Sequence, residues 1–557
     1  MNKLRKVVNN TLISLVGQAI TWTSTLTLTI AYGRFLGDFK FGELYFAITF
    51  VMLIGFPLEF GFNQQVTRHI AQKPGEAVRY FSNILLIKVV FWCLLYGIIL
   101  LLCWLLGYSP EERLLVAISG LTLLSTAIAN IFTSLHNAFL RVIYPVGGTI
   151  LEKGLSALIG IYLLKQGASV EVMAFVLLGG SLASAIWQGL WFFYLVGIHF
   201  RIDRLLIREL VRTCVPFLIY GALAVVYYRM DTVMLSLMTN TEVVGWYGAG
   251  YRLFDTLVFL PNLVVLAIMY PVFSQLSIVD EGNLKLAIEK SMNFLLFCGL
   301  PIATMMMVAA SPIIGFLYHQ KDFLHTTPAL QGLAPGLVFL YVNTVLGTAI
   351  MSIKQEKKIT YMAAIALVFN LSLNLYLIPR YQHVGAAVVT SLTELLLLCL
   401  SIAFLPRRLW PMGSLRVGAK ALLASLTMAL IIWKLLPLNL GIFMLLPIAM
   451  VIYLVVATVL RTIPGEDLKA LYVAVRQKAQ KTTAVALDED KQQGKEAKLQ
   501  PVDALLMEID VANEVTEKSR AIAFEATEKR AAITLDLEAT EKRPAILLHA
   551  EVLHPEF

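Results

Sequence analysis

Several ionisable side chains stand inside long apolar stretches of this chain. Arg229 and Asp231 are two residues apart, and Arg252 and Asp255 are three apart. Glu59 sits between Pro57 and Gly61, with Asn63 and Gln64 a turn beyond. Glu152 stands next to Lys153, Glu394 is alone in its apolar run, and Arg34 closes the first such run. A charge held in hydrocarbon costs about 2.5 kcal/mol or more on insertion scales, so each of these needs a partner, a wet cavity or a route to the interface.

Spacing on a helix divides these groups. Residues two apart point about 200° away from each other, so Arg229 and Asp231 cannot share a face. One of them is expected to line a cavity while the other pairs or snorkels. Arg252 and Asp255 share a face and can meet, and Tyr247 and Tyr251 continue it. That pair reads either as a ligand-contacting or ion-linked pair, or as a structural bridge between helices. Glu59 reads either as a carboxylate that takes up a proton or as a packing hydrogen bond to hydroxyls of the first apolar run. Asp231, Glu152 and Glu394 are candidates of the same ion-coupling kind, while Lys88 and Lys434 are expected to reach an interface.

The elements that must carry these residues follow from composition. Of 557 residues, 58% are hydrophobic and 15% charged, and the mean hydropathy is +0.74. No water-soluble core hides that much apolar surface, and runs of about twenty apolar residues match the roughly 30 Å of hydrocarbon in a bilayer. The fold class is therefore all-α and polytopic, with spans near 11–36, 42–65, 81–107, 112–138, 144–165, 171–198, 210–238, 243–275, 291–318, 327–352, 358–379, 384–405, 416–435 and 438–460. The first run is too long for a signal peptide and has no small-residue cleavage site, so it counts as a span. Its alternating Thr21, Thr23, Thr25, Thr27 and Thr29 imitate a strand, but hydroxyls bonded back to the preceding turn fit a helix.

Basic residues gather in alternate loops, as in Arg68, Lys73 and Arg79, then Arg201, Arg204, Arg208 and Arg212, then Lys354, Lys357 and Lys358. The intervening loops, such as Tyr108 to Glu112 and Thr239 to Glu242, are short and poor in them. Basic loops stay cytoplasmic, which with fourteen spans puts both termini in the cytoplasm. Phe41-Gly42-Glu43-Leu44-Tyr45 is echoed by Val244-Gly245-Trp246-Tyr247, suggesting two repeated bundles. The expected organisation is residues 1–205 as one six-helix lobe, 206–406 as a second, 407–462 as two further helices, and 463–557 as a charged, solvated tail. The tail repeats Thr-Glu-Lys at irregular offsets, which disfavours a long coiled coil.

Other chemistries find no support. The five cysteines all lie in apolar runs without CxxC spacing, the eight histidines are scattered, and no metal or other cofactor is expected. There is no Walker A motif and no GxGxxG after a strand pattern, so nothing in the sequence points to ATP hydrolysis or nucleic-acid work.

Three stretches in register resemble the polysaccharide repeat-unit flippases (Wzx type) of the multidrug/oligosaccharidyl-lipid/polysaccharide exporter superfamily. They are Gly33-Arg34-Phe35-Leu36-Gly37 leading to Phe41-Gly42; Asp231 to Leu235 followed by Val244-Gly245-Trp246-Tyr247; and Asn370 to Pro379 running into Val384-Gly385-Ala386-Ala387. The match covers roughly residues 10–460, and the tail departs from it. The resemblance implies two lobes in a V, a polar central cavity and alternating access without covalent chemistry. It also implies a bacterial inner-membrane location, a cargo of oligosaccharide on a polyprenyl diphosphate, and polysaccharide-assembly partners. An anionic diphosphate calls for cationic residues in the cavity, here Arg34, Arg229 and Arg252, with Asp255, Tyr247 and Tyr251 beside them. A peptidoglycan-precursor flippase and a cation-coupled drug exporter are the alternatives among transporters. A membrane-embedded polymerase or ligase is the enzymatic one, disfavoured because the outer loops are short.

Overall fold

The computed structural model describes residues 3–59, 62–197, 200–319, 321–438 and 440–462. The expected charged tail, 463–557, lies outside the described residues. All the contacts below fall within one unit, Met1–Ile463.

No strand occurs among the described residues. The helices are α1 (Lys3–Gly55), α2 (Phe62–Gln72), α3 (Ala77–Leu105), α4 (Pro110–Ala138), α5 (Ile143–Ile150), α6 (Ser156–Lys165), α7 (Val170–Val196), α8 (Arg204–Met238) and α9 (Thr241–Leu257). They continue with the single turn α10 (Phe259–Pro261), α11 (Tyr270–Val279), α12 (Glu281–Val308), α13 (Ala310–Tyr318), α14 (Thr326–Ser352), α15 (Glu356–Phe404), α16 (Met412–Leu435) and α17 (Ile442–Val459). Among the described residues, eleven helical stretches are long and apolar enough to cross a membrane. Large apolar side chains such as Leu158, Trp433 and Phe443 are well exposed on this surface. Such a surface suits lipid as the solvent, and the chain is a multi-pass α-helical membrane protein.

The long helices bend where the sequence permits. α1 contains Gly37 at φ 78°, a left-handed turn that a side chain disfavours, and α15 bends at Gln382 with φ 49°. These bends fall between the first and second, and the eleventh and twelfth, expected spans. The expected second span is broken: α1 stops at Gly55, a 3₁₀ turn covers Phe56–Leu58, and α2 starts at Phe62. Pro57 sits at the start of that turn, where its missing N–H is tolerated. The ninth expected span is likewise two helices, α12 and α13, divided at Ala309. Two π-helical segments, Leu151–Leu155 and Asn262–Met269, interrupt the fifth and eighth.

Local chemistry fixes the helix ends. Ser109 and Glu112 form a reciprocal capping box at the start of α4, with bonds of 3.2 and 2.9 Å. Asp203 accepts from the N–H groups of Leu205 and Leu206 at the start of α8 and pairs with Arg79 of α3. The hydrogen bond from Arg79 holds the Asp203 carboxyl below its usual range. In α1, the hydroxyls of Thr21, Thr23, Thr27 and Thr29 bond to carbonyls four residues earlier, as their type requires on a helix in an apolar setting.

Packing is helix on helix. α4 lies against α3 and α7, α14 between α12 and α15, and α16 against α12. One buried cluster stacks Phe81 on Phe132, with ring centroids 5.1 Å apart, and takes in Leu206, Leu210 and Cys214 from the start of α8. α1, in turn, packs along α9.

Candidate functional site

The two echoed glycine motifs pack against each other. A Cβ added to Gly42 of α1 would lie 2.2 Å from the Thr241 carbonyl oxygen, and one added to Gly245 of α9 would lie 2.2 Å from that of Asp38. The crossing is therefore made backbone to backbone, which only glycine allows. Trp246 donates from Nε1 to Asp38 Oδ2 at 2.8 Å, and the Tyr45 ring lies against Gly248. Sequence reading took these motifs as separate echoes; the structure makes them one joint between the first and second halves of the chain.

The charged residues of α8 and α9 gather beside this joint. Arg229 Nη1 pairs with Asp255 Oδ2 at 3.2 Å and lies 5.8 Å from the Tyr251 ring centroid. Asp255 thus pairs across helices with Arg229 rather than along α9 with Arg252, as the three-residue spacing had suggested. Arg252 lies instead over the ring of Tyr45, 5.5 Å from its centroid, and makes no ion pair or side-chain hydrogen bond among the described residues. It is partly exposed. Asp231 points the other way from Arg229, as its spacing dictates, and accepts a hydrogen bond from Tyr247 Oη.

Burial corrects part of the expected lining. Tyr247 and Tyr251 are buried, and Tyr251 donates to the Tyr228 carbonyl at 3.4 Å, so neither presents a face to a ligand in this conformation. The physical reason is the glycine joint, which brings α1 down over that side of α9. The hydroxyls of Tyr32 and Tyr45, both on α1, are buried without a hydrogen-bond partner among the described residues. Sequence reading missed Tyr45 as a site residue, although it stands inside the echoed motif Phe41-Gly42-Glu43-Leu44-Tyr45.

Arg34 spans the halves too. Its Nε and Nη2 donate to the carbonyls of Leu317 and Phe316 at 2.6 and 2.7 Å, at the end of α13. The last carbonyls of a helix lack intrahelical donors, so a planar guanidinium with two parallel N–H bonds is a fitting cap.

Glu59 lies at the break in the second span. Its Oε2 accepts from Asn130 Nδ2 at 2.9 Å and Asn63 Nδ2 at 3.2 Å, and its Oε1 faces Lys88 Nζ at 3.5 Å. Lys88 does not reach an interface: its side chain is 0% exposed, against 27% for Glu59. The Ala127 carbonyl accepts its second hydrogen bond at 3.1 Å. The partner is therefore a lysine on α3, not a threonine hydroxyl of α1. A lone lysine in an apolar run, 29 residues from a glutamate in another, was the available signal.

The other candidates are separate from this group. Glu152 pairs with its neighbour Lys153 at 2.6 Å within the π-helical segment. Glu394 is buried, accepting from Tyr227 Oη and Asn343 Nδ2 at 2.7 Å each. Lys434 is exposed. Among the described residues no group of three His, Cys, Asp or Glu is placed to hold a metal ion.

Comparison with known proteins bears on this architecture. Residues 7–277 match the family model described as polysaccharide biosynthesis protein, and residues 216–376 match the MatE family model. The chain is 22% identical over 373 residues to a probable low-salt glycan biosynthesis flippase, Agl15, of Haloferax volcanii, covering 65% of this chain and 75% of that one. It is 24% identical over 356 residues to a probable flippase, AglR, of the same organism, covering 60% and 70%. A solved lipid II flippase, MurJ, in an inward closed conformation shares the fold at a TM-score of 0.64 and 16% identity, covering 80% of this chain and 98% of that one. These matches support a polysaccharide flippase of the multidrug/oligosaccharidyl-lipid/polysaccharide exporter superfamily.

Proposed function

We propose that the chain flips an oligosaccharide linked to a lipid through an anionic diphosphate, by alternating access of two bundles, residues 1–205 and 206–406, with 407–462 as two accessory helices. The observation that carries this reading is Arg252. It is a cation beside the joint between the halves, it is partly exposed, and no carboxylate neutralises it, unlike Arg229. An uncompensated cation in a low-dielectric setting favours an anion strongly, and a guanidinium binds phosphate oxygens in a bidentate way. Arg229 and Asp255, both partly exposed, line the same region as a neutral pair.

Coupling is assigned to Glu59. It stands at a helix break, which lets backbone and side chain face a cavity, and it shields the charge of Lys88. A coupling ion that engages Glu59 leaves the Lys88 charge unbalanced, which draws an anion toward the first bundle; its release restores the pair and weakens that pull. The basic loops face the cytoplasm in this reading, by their charge. The membrane in question is the cell's plasma membrane, bacterial or archaeal, since the relatives compared above are archaeal.

The test is reconstitution of the purified chain in liposomes with lipid-linked oligosaccharides, scoring their exposure on the far leaflet. Arg252→Ala is expected to cut flipping at least tenfold with insertion unchanged, and Arg252→Lys to restore part of it. Flipping at the normal rate by Arg252→Ala removes the proposed anion contact. A comparison of polyprenyl-diphosphate oligosaccharide with lipid II as cargo separates the favoured reading from a peptidoglycan-precursor flippase.

A further inference from the structure

The end of α11, the start of α12, the link from α14 to α15 and the segment after α15 meet around a pocket of about 350 Å³. Its charged lining is Lys354, Arg408 and Glu281, two cations and one carboxylate. A single negative charge therefore balances the walls. The hydroxyls there are already engaged: Ser277 donates to the carbonyls of Ser274 and Ser352 at 2.9 and 3.0 Å, and Ser352 donates to the Ala349 carbonyl at 2.7 Å.

Three groups remain open. Arg408 gives only its Nε to Glu281 Oε1, at 2.7 Å, and its two terminal nitrogens have no acceptor among the described residues. The exposed Lys354 ammonium has no hydrogen bond or ion pair among the described residues. Gln355 Oε1, an acceptor, is buried without a donor among them. The backbone holds Lys354 in the left-handed turn that ends α14, at φ 59°. Its N–H bonds the Met351 carbonyl at 3.0 Å, and the Gln355 N–H bonds the Ile350 carbonyl at 3.2 Å. Glycine takes that position without strain, so the turn carries a strained residue whose long side chain lines a pocket.

We infer that this pocket holds the headgroup of an anionic phospholipid, a phosphodiester that bears a hydroxyl, as a glycerol headgroup does. The phosphate lies between Lys354 and Arg408, and the headgroup hydroxyl donates to Gln355 Oε1. A phosphodiester carries one negative charge, which the walls balance, whereas a phosphate monoester carries about −1.5 to −2 at neutral pH and overshoots them. A guanidinium with free terminal N–H groups matches two phosphate oxygens. Placement favours a lipid over a soluble phosphodiester. α14 and α15, both long and apolar enough to cross a membrane, meet at the pocket, which puts it at headgroup depth, where basic side chains attract anionic lipid. Ile278 lines the pocket and Val279 adjoins it, 77% and 82% exposed, an apolar rim suited to the top of acyl chains. The site shares no residue with Arg252 or Glu59, so its test does not depend on the proposed cargo.

The experiment is equilibrium binding of radiolabelled dioleoylphosphatidylglycerol to the purified, delipidated full-length chain in dodecyl maltoside micelles. Saturable binding of one lipid per chain is expected, with dioleoylphosphatidylcholine displacing it far less well than unlabelled phosphatidylglycerol. Arg408→Gln and Lys354→Gly should each weaken it by about fivefold, the worth of one basic side chain at a lipid surface. Lys354→Gly should at the same time raise the thermal midpoint of the lipid-free chain, since it relieves the left-handed turn, which separates lost binding from lost folding. Lys357→Gln, an exposed neighbour outside the pocket, should leave binding unchanged. Gln355→Leu should erase the preference for phosphatidylglycerol over phosphatidylmethanol, which keeps the phosphodiester and lacks the hydroxyl; a surviving preference overturns the hydroxyl contact. No saturable binding, equal displacement by phosphatidylcholine, or full binding by Arg408→Gln and Lys354→Gly overturns the inference. An equal loss in Lys357→Gln overturns it too, because it reports general attraction to basic loops. Competition by the deacylated headgroup, glycerophosphoglycerol, as strong as by the lipid overturns it in favour of a soluble phosphodiester.

Discussion

Removing one member of the Glu59–Lys88 pair should cost more than removing both. Lys88 is fully enclosed, with Glu59 at 3.5 Å and the Ala127 carbonyl at 3.1 Å as its acceptors. Glu59→Gln keeps the shape and leaves the ammonium facing only neutral oxygens. Stranding one charge of a buried pair costs about 3–5 kcal/mol, and the partial exposure of Glu59 lets water reach that side, so about 3 kcal/mol is expected. Lys88→Met strands the carboxylate instead, but Asn63 and Asn130 still donate to it and it is partly wet, so the cost is nearer 1–2 kcal/mol, roughly that of one charged hydrogen bond. In the double variant no charge remains and methionine fills the lysine's apolar track, so about 1 kcal/mol is expected. The sum of the singles then exceeds the double by about 3–4 kcal/mol, well beyond the ~0.5 kcal/mol scatter of independent sites. Equilibrium unfolding in mixed micelles for the four proteins measures this coupling. Additive costs would refute the account, because they would mean that Lys88 does not depend on Glu59 for its charge balance.

Further expectations concern the joint, the α13 cap and the basic loops. Gly245→Ala and Gly42→Ala should each lower the thermal midpoint and slow flipping, since a methyl 2.2 Å from a carbonyl oxygen forces the helices apart; unchanged stability in both would show that they do not cross this closely. Arg34→Ala should destabilise the protein by about 1–3 kcal/mol, and Arg34→Lys should recover only part of that, because one ammonium cannot match the fork that reaches both carbonyls. Asp203→Asn removes a carboxylate whose folded pKa is depressed by Arg79, so its contribution is present above the unfolded value near 4 and is lost as pH falls through the folded one. The gap in thermal midpoint between wild type and Asp203→Asn should therefore stay constant from about pH 7 to pH 5 and close only below about pH 4; a gap that closed near pH 6 would implicate another group.

Much of this architecture was legible because apolar runs and helix periodicity are local properties. The bends at Gly37 and Gln382 fall where short turns were read, and the threonine hydroxyls bond back along α1 as their type and setting require. Partner choice was not legible. Arg252 and Asp255 meet every spacing rule for a pair, yet Asp255 bonds Arg229 from another helix, because tertiary packing decides which of several reachable partners wins. Lys88 was misread for the same reason: a long side chain usually escapes to an interface, and only the three-dimensional neighbourhood of Glu59 and Ala127 shows why this one stays. The 3₁₀ break at Phe56–Leu58 was half visible, in the Pro57 and Gly61 that flank Glu59, but nothing local said that a lysine of another helix would face that carboxylate.

The seam at Gly42 and Gly245 also bears on how the protein responds to its surroundings. Two bare stretches of main chain have no rotamers to freeze when they come together and no net charge for dissolved salt to screen. At the two glycines, parting and rejoining therefore involves no side-chain ordering; the ordering at the joint rests with Trp246 and Asp38 and with the Tyr45 ring on Gly248. Sensitivity to ionic conditions should then originate with charged side chains, Asp38 at the joint, Arg252 beside it and the Glu59–Lys88 pair, while the glycine contact itself runs the same in brine as in fresh water.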